Sequence, residues 1–298
     1  MPAVRDSAFK TGASGIQSAH ARTFASGLGD TMSQDPFAEF KKRQRDMWSS
    51  FAPTATFTPP VAGHLVKFAR IKPGETVLDV GTGTGVVAIT AARSGAKVTG
   101  LDLTPELLEV ARENARIARH EEIVWTEGDA EQLPYADASF DVVLSQFGHM
   151  FAPRPEVAIA EMRRVLKPGG QVAFATWPPE HFVGRMFAFV GRNSPPPPAG
   201  ASPPPLWGNP ATVAERLGAS FDAPFFDRGV MAYPALSVEH FRLFIERSVG
   251  PVQKLVESLA GDPQKLELLR AEFEALAAPY HFDNVLHQDY LLTRAHAR

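Results

Sequence analysis

The segment Val77-Leu78-Asp79-Val80-Gly81-Thr82-Gly83-Thr84-Gly85 constrains this chain more than any other. A short, nearly all-apolar strand, Thr76–Val80, runs into a turn with glycine at alternate positions, and a helical pattern over Val86–Ser94 follows at once. Glycine allows backbone conformations closed to other residues and lets a ligand approach where a Cβ would intrude. Amides of such a turn, next to a helix N-terminus, can face a carboxylate or a phosphate.

The alternation continues. Lys97–Leu101 reads as a second strand, Thr104 as the cap of a helix over Pro105–Ala118, Ile123–Thr126 as a third strand and Phe140–Ser145 as a fourth. A helix over Pro155–Leu166 precedes Lys167-Pro168-Gly169-Gly170, and Gln171–Trp177 is a fifth strand. Apolar strands joined mostly by helices predict an α/β fold with a parallel sheet covered on both faces, and right-handed crossovers make it doubly wound. Upstream, Asp35–Trp48 is helical with Phe37, Phe40 and Met47 on one side, and Thr58-Pro59-Pro60 opens another helix. Downstream, Phe182–Val190 reads as a helix. Ser194–Pro205 holds seven prolines, for which a stiff surface connector is favoured over a substrate lid or a partner-docking segment. Pro210–Leu217 is helical, and Phe225–Tyr233 and His287–Ala295 are a sixth and a seventh strand. Three helical stretches between those strands, Val238–Arg247, Val252–Leu259 and Pro263–Ala277, form an insertion suited to cover a site.

Composition narrows the function. A net charge of −3 gives no reason to expect nucleic acid, and the basic run Lys41-Lys42-Arg43-Gln44-Arg45 is expected on a solvated helical face. The chain has no cysteine, which removes disulfides, thiolate catalysis and cysteine zinc sites and fits a reducing, cytoplasmic setting. No apolar run approaches the ~20 residues of a bilayer span, so no integral membrane contact is expected. His181, His240, His281 and His287 lack metal-ligand spacing, and no metal is predicted. Nothing in the sequence fixes an oligomeric state.

Two further segments turn the glycine loop into a site. Asp102 ends the second strand, where a carboxylate can accept hydrogen bonds from both hydroxyls of a ribose. Asp129, in Gly128-Asp129-Ala130, ends the third strand on the same sheet edge; it can accept from an adenine amine while the Ala130 amide donates to a ring nitrogen. Asp141 belongs instead to the turn into the fourth strand. The loop reads G-x-G-x-G, not the G-x-G-x-x-G of dinucleotide enzymes. An NAD-dependent oxidoreductase therefore stands only as an alternative.

These segments, with Leu166-Lys167-Pro168-Gly169-Gly170, resemble the class I S-adenosylmethionine (SAM)-dependent methyltransferases over roughly 73–177. The branch is similar to the one containing the ubiquinone/menaquinone-biosynthesis methyltransferases. The resemblance implies a Rossmann-like, seven-stranded, mostly parallel sheet with an antiparallel last strand. It implies SAM as cofactor and a small-molecule methyl acceptor attacked at O, N, S or C; a non-catalytic SAM-binding module is the other alternative. Asp79 belongs to its glycine-loop motif. Gly81, Thr82 and Gly83 would line the methionine part, Asp102 and Leu103 the ribose and adenine, Asp129 and Ala130 the adenine edge, and Gln146 the amino-acid end. The expected organisation is a disordered arm over 1–34, a helical cover over 35–72, a SAM-binding core over 73–180, and 181–298 as the C-terminal part of the same domain. His149, after the fourth strand, is the candidate general base, weighed against a structural loop histidine. Phe147 and Phe151 are read first as core, and second as walls of an acceptor pocket. Trp48, Phe51 and Thr58 either pack or close over SAM, with packing favoured for Trp48.

Overall fold

The computed structural model describes residues 35–298; the arm expected over 1–34 lies outside them. Three helices come first, α1 (Ala38–Trp48), α2 (Ala52–Ala55) and α3 (Pro59–Ala69). Alternation follows: β1 (Thr76–Val80), α4 (Val86–Arg93), β2 (Lys97–Asp102), α5 (Pro105–Ala118), β3 (Val124–Glu127), β4 (Phe140–Gln146), α6 (Pro155–Val165) and β5 (Leu166–Thr176). Then come α7 (Phe182–Arg192), α8 (Pro210–Leu217) and β6 (Phe225–Pro234). The last elements are α9 (Val238–Ser248), α10 (Gly250–Ser258), α11 (Pro263–Ala277), a short β7 (His281–Phe282) and a long β8 (Val285–His296).

Local sequence explains these elements. In β1, Val77, Leu78 and Val80 are wholly buried, as a strand covered on both faces requires. In α5, proline in the first turn presets φ, and Leu107, Leu108, Ala111 and Ala115 form the buried stripe. Thr104 takes the extended backbone of an N-cap, but its hydroxyl makes no cap bond. Thr58 likewise does not cap α3, because its hydroxyl donates back to the Ala55 carbonyl.

The sheet runs β3-β2-β1-β4-β5-β8-β6, parallel from β3 to β5, with β8 antiparallel between β5 and β6. The sequence predicted seven strands. The eighth among the described residues is β7, two residues that fold back on β8 through Asp283 and Asn284, both in the left-handed region. A second difference concerns Lys167-Pro168-Gly169-Gly170, which was expected before the fifth strand. It lies inside β5 as an irregularity, where the partner register jumps from Phe140↔Leu166 to Val142↔Gln171.

Strand order places the site. Chain order runs one way from β1 through β2 to β3 and the other way from β4 to β5, so right-handed crossovers put α4 and α5 on one face and α6 on the opposite face. A crevice opens where the directions part, at the carboxyl ends of β1 and β4. Register aligns the four strand ends: Val80 lies beside Leu101, Asp102 beside Glu127, and Asp79 beside Leu144, so Gln146 is level with Gly81. Over this edge, α7, α9 and α11 share one aromatic cluster in which Phe182 meets Phe241 at 5.6 Å and Phe273 at 6.2 Å between ring centroids. Truncating a buried ring of this kind costs about 3–5 kcal/mol. The cluster is anchored on the sheet through Tyr233 of β6, whose ring lies 4.9 Å from that of Phe241.

Candidate active site

The glycine loop is shaped by a close approach of two backbones. A Cβ at Gly81 would sit 2.7 Å from the Gly148 Cα, and Gly81 has φ +66, so both space and conformation exclude a larger residue. Gly83 also has a positive φ, +54, but a Cβ there would meet nothing within 4 Å. Its open side faces the cavity, which it lines. Two carboxylates hold the loop. Asp102 accepts from the Gly83 amide at 2.7 Å and from the Thr104 amide at 2.9 Å. Burial raises its pKa, and those amides oppose the rise. Asp79 is wholly buried and accepts with one oxygen from the Thr82 hydroxyl at 2.6 Å and the Ala88 amide at 3.1 Å. Its other oxygen has no partner among the described residues. Burial pushes Asp79 up to about 7, against the Thr82 and Ala88 hydrogen bonds that lower it.

Above the strand ends lies α1. Its buried stripe is Phe37, Lys41 and Gln44, spaced i, i+4, i+7. The Lys41 ammonium sits between the Asp129 and Glu131 carboxylates, 2.6 Å from each. The Gln44 amide donates to the Phe151 carbonyl at 3.1 Å, and Arg45 pairs with Glu127 at 2.8 Å. This corrects the expectation of a solvated basic face: three of its five residues are spent on the sheet edge, and only Lys42 and Arg43 are exposed. Their signal was available, since Glu127, Asp129 and Glu131 form an acidic run that calls for cations.

One continuous cavity runs from this edge beneath the helical insertion. Asp79, Gly81, Thr82, Gly83, Asp102, Leu103, Asp129, Ala130 and Gln146 all line it. Phe147, Phe151, Trp48, Phe51 and Thr58 line it too. Phe147 has φ +62, an unfavourable conformation for a bulky residue, and its ring stacks on Trp177 with centroids 3.8 Å apart. Its amide donates to the Ala175 carbonyl at 2.9 Å, which fixes the strained residue to β5. Further in, the lining comes from α7, β6, α9 and β8. The prolines of Ser194–Pro205 contribute nothing to it. They run along a mostly exposed path into a short 3-10 turn, Pro204–Gly208, that buries Trp207.

Comparison with known proteins bears directly on this cavity. The family described as a methyltransferase domain matches residues 78–174, which span the glycine loop, both edge aspartates and β5. An uncharacterized protein of Mycobacterium tuberculosis is 35% identical over 260 residues, covering 84% of this chain and 93% of its own length. The demethylmenaquinone methyltransferase of Tropheryma whipplei is 40% identical over 129 residues, 42% of this chain and 52% of that one. The chain belongs to the SAM-dependent methyltransferases. A solved Bacillus halodurans protein, provisionally described as a methyltransferase, shares the fold at TM-score 0.54 and 23% identity, covering 79% of this chain and 97% of that one. The cofactor is SAM. An oxidoreductase reading of the glycine loop therefore falls away.

In this methyltransferase His149 is not at the cavity. Its ring lies between Phe174 and Trp207, 4.6 Å from each centroid, and is 1% exposed. Neither ring nitrogen has a hydrogen-bond partner among the described residues. Burial, with the Arg216 charge adding to it, lowers its pKa to about 3. The candidate base is thus a neutral core group on the far side of its own loop, held there because its backbone amide donates to the Ser145 hydroxyl at 3.1 Å. Asp141 lies in the first residues of β4 itself, not in the turn before it, and does not line the cavity. Burial alone would raise its pKa, but hydrogen bonds from Lys167 and Thr76 outweigh it and hold the carboxyl at about 2.

His149 generates a prediction. A histidine whose folded pKa is depressed takes up protons on unfolding, so its destabilising effect grows as pH falls from about 6.5 toward 3. His149→Phe removes two unpartnered nitrogens and should raise the melting temperature, more at pH 5 than at pH 8, without changing affinity for S-adenosylhomocysteine (SAH). Thermal melts and titration calorimetry read both; a tenfold loss of SAH affinity would restore His149 to the site.

Proposed function

We propose that the chain methylates a small, uncharged, largely apolar acceptor, and that the residues on the sheet edge cradle SAM. The observation that supports this reading is the continuity of the cavity from the glycine loop into an apolar chamber. Four features fit SAM. Two buried acceptors lining the cavity, an Asp79 oxygen and the Gln146 amide oxygen, lack partners and suit the donors of an ammonium group. Gly83, where a Cβ would meet nothing within 4 Å, leaves its Cα face open for the amino-acid end to approach. Asp102 retains lone pairs for ribose hydroxyls beyond those taken by the Gly83 and Thr104 amides. Leu103 gives adenine an apolar contact, with Asp129 and the Ala130 amide at its edge.

Bound SAM supplies a methyl activated by a positively charged sulfur. The chain's own contribution is to bind, align and keep water out. Trp48, Phe51 and Phe147 wall the junction between the edge and the chamber. Lys41, Gln44 and Arg45 hold α1 over the adenine end, so that α1 excludes solvent once closed. Among the described residues lining the inner chamber, the only titratable side chain is Tyr233, whose phenol burial pushes upward, away from service as a base near neutral pH. The acceptor therefore brings a nucleophile that needs no protein base, and charged amines or carboxylates find no partner there.

Two variants test the cradle. Asp102→Ala should weaken SAH binding by about tenfold to a hundredfold, the worth of charge-assisted hydrogen bonds to a buried carboxylate; unchanged calorimetric affinity would refute the assignment. Asp79 is the sharper case. Its raised folded pKa means stability falls as pH rises from about 4 to 7, through loss of a proton the buried site favours. Asp79→Asn should stabilise the ligand-free protein at pH 8 by on the order of 1–3 kcal/mol while weakening SAH tenfold or more. In the unsubstituted protein SAH affinity should rise from pH 6 to pH 8, and in the variant it should be flat. A variant that loses stability and keeps SAH affinity contradicts this role.

A further inference from the structure

The inner chamber contains two polar side chains that the methyl-donor end does not use. Its lining from α7, β6, α9 and β8 is apolar, with Met186, Met231, Phe241 and Ile245 typical, except for Tyr233 on β6 and Gln288 on β8. Gln288 is 7% exposed and Tyr233 4%. Both line the cavity, and among the described residues neither side chain has a hydrogen-bond partner, although Gln288 offers two donors and an acceptor. The other buried glutamine among the described residues, Gln44, donates to the Phe151 carbonyl. An amide left unpaired in an apolar wall costs stability without return unless a ligand completes it.

Register puts the two groups together. Met231 pairs directly with Gln288 and Tyr233 with Leu286. Residues two apart on a strand share a face, so Tyr233 and Gln288 are diagonal neighbours on the face toward the chamber, a separation of ~7–8 Å that long side chains can bridge. The Tyr233 ring is packed by Phe57 at 4.1 Å, Phe241 at 4.9 Å and Phe244 at 5.3 Å between centroids, which fixes where its hydroxyl points. The stacked Phe147 and Trp177 line the same cavity, with the Phe147 ring 6.4 Å from that of Tyr290 on β8.

We propose that Gln288 and Tyr233 are the acceptor-positioning pair, holding a hydroxyl or carbonyl oxygen of an uncharged, ring-bearing acceptor that packs against the Phe147–Trp177 stack. The inference rests on reading this cavity as the acceptor end of the methyltransferase, and deepens that reading by giving the acceptor a class and a handle. Gln288 supplies a donor and an acceptor at once, so it takes either a hydroxyl or a carbonyl. Tyr233, kept protonated by its apolar packing, donates. Neither removes a proton; their part is alignment.

The experiment compares two probes that differ in one group, 2-naphthol and 2-methylnaphthalene, titrated against the full chain with and without saturating SAH. Quenching of tryptophan fluorescence reports binding, since Trp48 and Trp177 both line the cavity. The expected result is about a tenfold or greater preference for 2-naphthol, the worth of one hydrogen bond to an otherwise unpaired buried amide. Gln288→Leu should bring the two affinities within about threefold, and Tyr233→Phe should narrow the gap in part. SAH affinity should be unchanged in both variants. Gln288→Leu should also melt no lower than the unsubstituted protein, because leucine suits the apolar wall, whereas a residue serving only the fold would lower the melting temperature. Equal affinity for the two probes in the unsubstituted protein, or an undiminished preference in Gln288→Leu, overturns the proposal. A naphthol preference that survives while SAH fails to bind would sink the donor cradle and leave the pair standing.

Discussion

Where β1 and β4 diverge, two loops touch at their backbones, and the rest of the site depends on that contact. Gly81 and Gly148 approach so closely that neither tolerates a Cβ. The contact turns the glycine loop outward, so that Gly83 opens to the cavity and Asp102 can reach its amide. It also sets the loop after β4 in the conformation that aims Phe147 at Trp177 and sends His149 the other way, into the core. The proposed donor and acceptor ends are thus positioned by one junction. Because its parts are backbone, the geometry is set by the chain path and not by adjustable side chains.

Around that junction the protein accepts local costs. Asp79 and Gln146 each leave one side-chain oxygen unpaired among the described residues, Gln288 lines an apolar part of the cavity, and Phe147 sits at positive φ. Each would destabilise a fold with no ligand to meet it. Their convergence on one cavity sets them apart from the unpartnered nitrogens of His149, which lie between two aromatic rings where no ligand reaches. An unpaired polar group at a cavity wall is functional strain. The same feature in a closed aromatic core is only a cost.

The sheet core was legible in the sequence because its signals are local and periodic. The apolar run Thr76–Val80, the prolines opening α5 and α8, and the α11 stretch Pro263–Ala277 need no tertiary knowledge. The three edge segments were legible as well, because strand ends in a doubly wound sheet share one edge. What the sequence concealed was which way things face. Lys41 looked solvated because its carboxylate partners lie about ninety residues away. His149 looked catalytic from its place after β4, yet a left-handed turn at Phe147 sends its ring inward. Gln288 was the one inward position of β8 occupied by an amide, but that anomaly appears only once Leu286 and Tyr290 are known to face the same way. The Lys167–Gly170 stretch was misread for a related reason: glycine and proline break most strands, whereas here they form a bulge that the flanking register absorbs.

A crystal structure of the complex with SAH is the most direct test of the shared junction. The account predicts the ribose on Asp102, the amino-acid end between Asp79 and Gln146, and the sulfur directed past Phe147 toward the chamber that holds Tyr233 and Gln288. The reverse orientation, with adenine among the aromatic rings and the amino-acid end beneath Lys41, would contradict it, as would SAH bound away from the β1–β4 crevice.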